Sequence, residues 1–526
     1  MAFTGTLLPY QHDAFDRMVT RRRVLVAYDL GLGKTVITIA AIEELRERGD
    51  ISRPTLVVCL SSLKYQWAKE IRKFSDSDAT VIDGTKQQRQ QQYAESVAHA
   101  TDYVIVNYEQ VVNDWESLSG VDFDAIVCDE ATAIKSFRSK RSQRVKQLSD
   151  RVDVRFGLTG TPIENGRPEE LYSIMQAIDP QVLGTRFAVF DAAFIVRNFF
   201  GGVERYQNLD ALHARMRPAL VRKSQTDPDV APYLPVTIER DPVLVPFDRH
   251  GASVYRLISR SLEEELASAQ LTFGDAWNVT QHYGTSGPDA TAADAARGSI
   301  MSKITALRML CDHPDVLTLS AKKYDASSPG EGSKFAYELL ADAKVQEMLD
   351  RSKGPKLDAL TQMVADHLLD DANKVVVFCS YVHMATIIRD AVGGVLYTGQ
   401  MSALEKESAK EQFQTDPDTR VLVSTDAGGY GVDLPQANML INYDLPWSSG
   451  LAAQRNGRIR RASSRWPSIV VQDILMADSL EERQYEMLRQ KGRVASAVID
   501  GEGINKDGGV DLSAGSLTAF LQAVSV

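Results

Sequence analysis

Val24-Leu25-Val26-Ala27 is an unbroken apolar run, and Asp29-Leu30-Gly31-Leu32-Gly33-Lys34-Thr35 follows it almost at once, ahead of a helical pattern that ends near Gly49. A buried strand that passes through a glycine turn ending in Gly-Lys-Thr and into a helix is the setting of a phosphate loop. Glycines let backbone N–H groups approach phosphate oxygens, and the helix N-terminus adds partial positive charge. In such a loop Gly31 and Gly33 shape the turn, Lys34 reaches the β- and γ-phosphates, and the Thr35 hydroxyl binds Mg²⁺. The first glycine of the usual pattern is missing, and Tyr28 stands in its place. A glycine turn that merely precedes Lys-Thr is the plain alternative, so partner residues have to come from elsewhere in the chain.

The apolar run is one of a series. Thr55–Leu60, Tyr103–Val106 and Ala125–Cys128 repeat it within the first 180 residues, and Lys374–Cys379, Arg420–Val423, Met439–Asn442 and Ile469–Val471 repeat it after residue 370. Nearly continuous apolar runs of this length suit strands buried on both faces of a parallel sheet, with helices between them. Two α/β units are expected, over 1–180 and 351–500. Ser402 with Glu405, and Ser479 with Glu482, read as capping boxes that open helices in the second unit. Residues 181–350 lack the rhythm and read as mostly helical, broken by Gly284–Pro288 with an Ala/Asp-rich run to Ser299, and by a loop over Asp325–Gly330. Residues 501–526 read as a loose tail.

Two distant elements complete the phosphate loop. Asp129-Glu130 closes the strand Ala125–Cys128. A strand-end Asp near a phosphate loop holds Mg²⁺, and an adjacent Glu orients or activates the attacking water. In the second unit, Gln454-Arg455-Asn456-Gly457-Arg458-Ile459-Arg460-Arg461 puts Arg458 and Arg461 three apart, on one face of an expected helix. Guanidinium groups brought across an interface stabilise charge on a transferring γ-phosphoryl group. A basic, nucleic-acid-facing helix is the alternative for the arginines, and both readings can hold together.

Composition sets limits. The 526 residues carry 59 Lys and Arg against 70 Asp and Glu, a formal charge of −11, which by itself argues against a non-specific nucleic-acid binder. The basic residues are clustered, however: Lys135–Lys146 contains six and no acid, Arg455–Arg465 contains five Arg, and Arg21-Arg22-Arg23 forms a third group. Apolar runs fall short of a bilayer span, so no membrane association is expected. The N-terminal residues lack a secretory pattern. Cys59, Cys128, Cys311 and Cys379 make no CxxC pair, so a disulfide framework or zinc site is not expected and a reducing, cytoplasmic setting fits. Cys311 and His313, without further partners, read as packing and capping groups.

With these residues in view, the chain resembles the Swi/Snf-type ATPases of the superfamily-two helicase-like proteins over roughly residues 8 to 495. Leu8-Pro9-Tyr10-Gln11 resembles the adenine-reading motif, with Gln11 as reader. Leu56–Phe74, with Ser61-Ser62-Leu63, resembles motif Ia, which runs along a DNA strand. Asp129-Glu130-Ala131-Thr132 with Ile134-Lys135-Ser136, then Leu158–Pro162 with Asn165 and Glu170-Leu171, resemble motifs II and III. Ser424–Leu434 and Gln454–Arg461 resemble motifs V and VI. Leu220-Val221-Arg222-Lys223 with Leu234-Pro235, and Leu307–Pro314, match segments specific to this family. Thr132 departs from the usual His, Lys406 from an Arg, and Ser463-Ser464 from Gly-Gln.

The resemblance implies two RecA-like parallel-sheet motor domains with a mostly helical insertion, and a Mg²⁺-dependent ATPase whose site forms when both units meet. It implies nucleotide contacts from Gln11, Gly31, Gly33, Lys34, Thr35, Gly431 and Asp433, catalytic roles for Lys34, Asp129, Glu130, Arg458 and Arg461, and Mg²⁺ held by Thr35 and Asp129. Ser61, Ser62, Lys64, Lys135, Arg138 and Thr425 are the expected nucleic-acid contacts. The implied activity is translocation on double-stranded DNA that remodels a DNA-bound protein target or branched DNA, by a monomer in a bacterial or phage-infected cell. A strand-separating DNA or RNA helicase and a non-hydrolysing binding scaffold are the alternatives.

Overall fold

The computed structural model describes residues 3–99, 101–197, 203–273, 290–324, 332–429 and 432–501. The loops expected at Gly284–Pro288 and Asp325–Gly330, the motif V residue Gly431 and the tail beyond Gly501 lie outside the described residues.

The apolar runs become strands of two parallel sheets. In chain order the strands are β1 (Arg23–Tyr28), β2 (Thr55–Cys59), β3 (Ala79–Val81), β4 (Tyr103–Asn107), β5 (Ala125–Asp129), β6 (Val154–Leu158), β7 (Ile195–Arg197), β8 (Val203–Tyr206), β9 (Leu220–Lys223), β10 (Val236–Glu239), β11 (Val243–Val245), β12 (Val375–Cys379), β13 (Val395–Tyr397), β14 (Val421–Thr425), β15 (Met439–Asn442) and β16 (Ser468–Met476). The first sheet has the order β3-β4-β2-β5-β6-β1-β9 and the second β10-β16-β15-β12-β14-β13, with β11 also paired to β16. Every pairing in both is parallel.

Alternate side chains along each strand feed two cores. In the first unit Leu25, Val58 and Ile126 pack with Leu171 and Ile174 on one face, while Val26, Val57 and Val127 pack with Ile37, Ile42 and Trp67 on the other. In the second, Val375 and Val377 meet Leu307 and Met384, while Val376 and Phe378 meet Phe413 and Ile459. Removal of both sheet faces from water is what β-branched runs without polar alternation encode. Both sheets point the C-terminal ends of their strands at the loops that carry chemistry, as open parallel sheets do.

The helices that position the site are α1 (Lys34–Glu47), α2 (Lys64–Phe74), α3 (Leu209–Met216), α4 (Arg249–Phe273), α5 (Ala290–Asp312), α6 (Ser449–Asn456) and α7 (Leu480–Ile499). The middle region is less uniformly helical than its sequence suggests, because β7 and β8 pair antiparallel, β9 joins the first sheet, and β10 and β11 join the second. The Ala/Asp-rich run expected to interrupt it is part of α5 from Ala290 onward, in keeping with alanine's strong helix propensity.

The Ser402–Glu405 capping box forms. That of Ser479 does not: its hydroxyl accepts from the Glu481 N–H and donates to Met476 O, while Glu482 accepts from the Asp478 N–H. Helix α7 straddles both units. Its start is held by Gln484, which donates to Leu445 O and Pro446 O, whereas Val494, Ala497, Val498 and Ile499 enter the first unit's core beside Leu212 and Met216 of α3. Among the described residues no helix is long and apolar enough to cross a membrane.

Candidate functional site: a nucleotide cleft between two sheets

The phosphate loop leaves β1 and enters α1. Gly31 and Gly33 both have φ +80°, a region costly to any residue with a Cβ, and Gly33 caps the helix. A Cβ on Gly33 would strike the Gln11 amide. Gln11 is buried against the loop: its Oε1 accepts from the Leu8 N–H at 2.8 Å, and its Nε2 donates to Leu32 O at 3.0 Å. Tyr28, the departure from the usual glycine, is buried and donates its hydroxyl to Tyr10 O at 2.8 Å, so it fastens the Gln11 segment over the loop. Lys34 Nζ donates to Tyr28 O (2.8 Å) and Asp29 O (3.2 Å). Burial pulls its proton affinity below that of an ordinary lysine, against the attraction of Glu130, Asp129 and Asp29.

Asp129 ends β5 and is held on three sides. Trp67 Nε1 of α2 donates to its Oδ2 at 2.8 Å, the Glu130 N–H donates to its Oδ1 at 3.0 Å, and Tyr108 OH donates to its carbonyl. Glu130 takes the left-handed conformation at φ +48°, which costs a side chain of this kind about 1–2 kcal/mol. Burial pushes its carboxyl up to about 7, against the pull of Lys34. Its Oε2 is buried with no hydrogen-bond partner.

The second unit supplies the other wall. Helix α6 ends at Asn456, so Arg458 and Arg461 lie in the turn and loop beyond it rather than on one helical face; Gly457, packed against Leu30 of the phosphate loop, marks the change. Both arginines are buried. Arg461 reaches the phosphate loop: a Cβ built on Gly31 would lie 2.5 Å from its Nη1 and 2.8 Å from its Cδ. Asp433, expected to touch nucleotide, instead accepts from Arg461 Nε at 2.7 Å, and Arg461 Nη1 is buried without a partner. Arg458 Nη1 donates to Val432 O at 3.5 Å, and its charge lowers the proton affinity of Glu130.

An unpartnered guanidinium nitrogen, an unpartnered carboxylate oxygen and a half-buried lysine around a glycine loop form a donor set suited to a polyphosphate with its cation. Among the described residues no group of three His, Cys, Asp or Glu forms a metal cage.

Beside the nucleotide cleft runs a cavity of about 1300 Å³ walled by both units. Ser61, Ser62, Lys69, Lys135 and Arg141 line it from the first, and Lys406 and Lys410 from the second. Three expected nucleic-acid contacts are therefore on it. Lys64 is not: it is buried, donates to Ile82 O at 2.8 Å and pairs with Asp83. Thr425 is buried too, its hydroxyl accepting from the Gly428 N–H. Arg138 is exposed with its guanidinium over Phe137, and does not line the cavity.

Two basic clusters have other uses. Arg21, Arg22 and Arg23 pair with Asp179, Asp50 and Asp153. In the motif VI cluster, Arg455 is fully buried between Asp426 and Asp444, and Arg460 donates to Gln225 O. His313 caps the helix Pro314–Lys322, accepting from the Asp315 N–H, and Cys311 is packed. Trp67 lies in the stretch that resembles motif Ia, but its bond to Asp129 is visible only once α2 is folded beside β5. Lys406 stood out in the sequence only as a departure from Arg; its place on the groove with Lys410 was not foreseen, although their four-residue spacing on one helix was a readable signal.

Residues 10–316 match the SNF2-related domain, and residues 355–463 match the helicase conserved C-terminal domain. The chain is 25% identical over 515 residues to Bacillus subtilis YwqA, whose assigned name is that of an ATP-dependent helicase/translocase, covering 95% of this chain and 50% of that one. It is 25% identical over 523 residues to the human DNA repair and recombination protein RAD54B, covering 94% and 54%. It thus spans about half the length of these relatives. In fold it is similar to the Pyrococcus furiosus Hef helicase domain, with a TM-score of 0.52 at 17% identity, covering 91% of this chain and 98% of that one. Two RecA-like sheets, a phosphate loop on one and arginines from the other, and a match to the SNF2-related domain over more than half the sequence place the chain in the Swi/Snf family of helicase-like ATPases.

Proposed function

We propose that the chain is an ATP-dependent translocase on double-stranded DNA, hydrolysing ATP between its two units and remodelling a DNA-bound protein or branched DNA. The observation that carries this is Arg461 of the second unit seated on Gly31 of the first, beside a cavity with lysines from both. A site completed only by contact between two units ties hydrolysis to their approach, and two separate grips on one strand turn that approach into movement.

Lys34 and the loop N–H groups hold the β- and γ-phosphates, and Gln11 borders the base. Thr35 and Asp129 would hold Mg²⁺, which neutralises phosphate charge when bound. Glu130 orients the attacking water and accepts its proton at Oε2. Arg458 and Arg461 stabilise charge on the γ-phosphoryl group, a contribution worth about three to five orders of magnitude in rate in such sites. The groove lysines contact phosphates rather than bases, as a sequence-blind motor requires. Helix Ala403–Thr415 occupies most of the span between Gly399 and Ser424, where a strand-separating hairpin would otherwise have room. Four buried free cysteines support a reducing, cytoplasmic setting.

ATP turnover measured without nucleic acid and with single strands, duplex DNA and RNA tests the reading. Stimulation by duplex DNA is expected. Stimulation by RNA but not by duplex would refute it, as would full turnover in Lys34→Ala or Glu130→Gln.

A further inference from the structure

Glu164 lies in the loop after β6, within reach of three parts of the machine. Its carboxylate is ion-paired with Lys135, and both residues line the groove. Its backbone carbonyl accepts from the hydroxyls of Ser448 (3.2 Å) and Ser449 (3.0 Å) in the second unit, at the start of α6. A Cβ on Gly450 would meet Glu164 Cγ at 2.8 Å, so the loop and the helix start are in close contact. Its charge also reaches Glu130.

We propose that Glu164 is an internal substitute for a DNA phosphate: in the DNA-free chain its carboxylate occupies Lys135, and duplex DNA entering the groove takes Lys135 from it. The inference rests on the reading of the groove as the DNA path. The exchange is chemically even-handed, since a carboxylate and a phosphodiester each offer one negative charge to one ammonium. The Lys135 side chain is 35% exposed and that of Glu164 16%, so solvent and an entering phosphate reach the pair from the lysine side and screen it in part. Counterion release from the duplex then favours the DNA side. Because the same loop supports Ser448 and Ser449, the exchange occurs at the seam that leads through α6 to Arg458 and Arg461.

The test is duplex affinity without nucleotide, by fluorescence anisotropy at fixed salt, for the wild type, Glu164→Gln, Glu164→Ala, Lys135→Gln and the double variant Glu164→Gln/Lys135→Gln. Removing the competitor should tighten binding by up to about fivefold, the upper range of one partly exposed ion pair. Lys135→Gln should weaken binding, and the double variant should match Lys135→Gln alone. Unchanged affinity in both Glu164 variants overturns the inference while leaving the groove reading intact. So does equal tightening with and without Lys135, which would be a general charge effect. A wild type that binds no duplex overturns the groove reading and the inference together.

Discussion

Gly31→Ala should disable the enzyme by evicting a residue it does not neighbour in sequence. The new methyl group would lie 2.5 Å from Arg461 Nη1, 2.8 Å from its Cδ and 3.3 Å from Arg460 O, so the guanidinium has to shift from its place against the phosphate loop. Two costs follow, and they differ in size. Alanine at φ +80° costs about 1–2 kcal/mol of stability, which a protein of this size tolerates. Loss of an arginine that stabilises the γ-phosphoryl group costs about three to five decades in turnover, or roughly 4–7 kcal/mol of transition-state stabilisation. Chemical denaturation, steady-state turnover and binding of a fluorescent ATP analogue separate the two. Stability should fall slightly, turnover should collapse, and analogue affinity should hold, because Lys34 and the remaining loop N–H groups are untouched. Arg461→Ala should show the same collapse, and the double variant should be no worse than either single one, since a residue can be removed only once. Losses that multiply in the double variant would refute the eviction argument. So would analogue affinity that falls as far as turnover, which would place the damage in the loop itself.

Trp67→Phe removes the indole donor from Asp129 and should raise the Mg²⁺ concentration for half-maximal turnover about tenfold, as loss of a metal ligand's supporting hydrogen bond does; a Mg²⁺ titration checks it. Lys356→Met strands Glu481 and Asp312, which are buried with it, the Lys356 Nζ lying 2.6 Å from a Glu481 oxygen, and should destabilise the protein by about 3–5 kcal/mol in denaturant unfolding. Lys491 of α7 donates to Trp447 O and packs against Gly166, and burial pulls it down to about 8. The folded state therefore binds its proton less tightly than the unfolded state, whose lysine titrates near 10.4. Its share of the stability should rise as pH climbs from about 8 towards 10.4, and that rise should vanish in Lys491→Met thermal melts across the same window.

The long buried strands and the phosphate loop were legible because each is written in consecutive residues. Val24–Ala27 followed by Gly31, Gly33 and Lys34 fixes a strand, a turn and a helix with no help from the rest of the chain. Short strands such as β9 and β10 were not, because four residues with charges among them become strands only when a neighbouring sheet offers its edge. Basic clusters misled for a related reason: the acids that neutralise them lie outside the clusters, from 11 to 158 residues along the chain. Arg455 meets Asp426 and Asp444, Arg21 meets Asp179, and Lys64 turns inward to Asp83. Local charge counting cannot see such pairs, and the groove came into view only when lysines separated by several hundred residues lined one cavity.

Helix α7 has a mechanical consequence when taken with the segment 224–235. That segment carries the chain from β9 to β10 and is pinned where Gln225 bonds Asp29 and Leu30. The end of α7 is pinned by Arg222 to Asp500 and by His213 to Val498 O. The two halves are thus joined by two short tethers, which hold Arg461 at an effective concentration near the phosphate loop in the millimolar range or above. Two anchorage points also define an axis. Any swing of the halves about that axis would move the groove lysines by an amount set by their distance from it, and would break the contacts of Ser448 and Ser449 with Glu164.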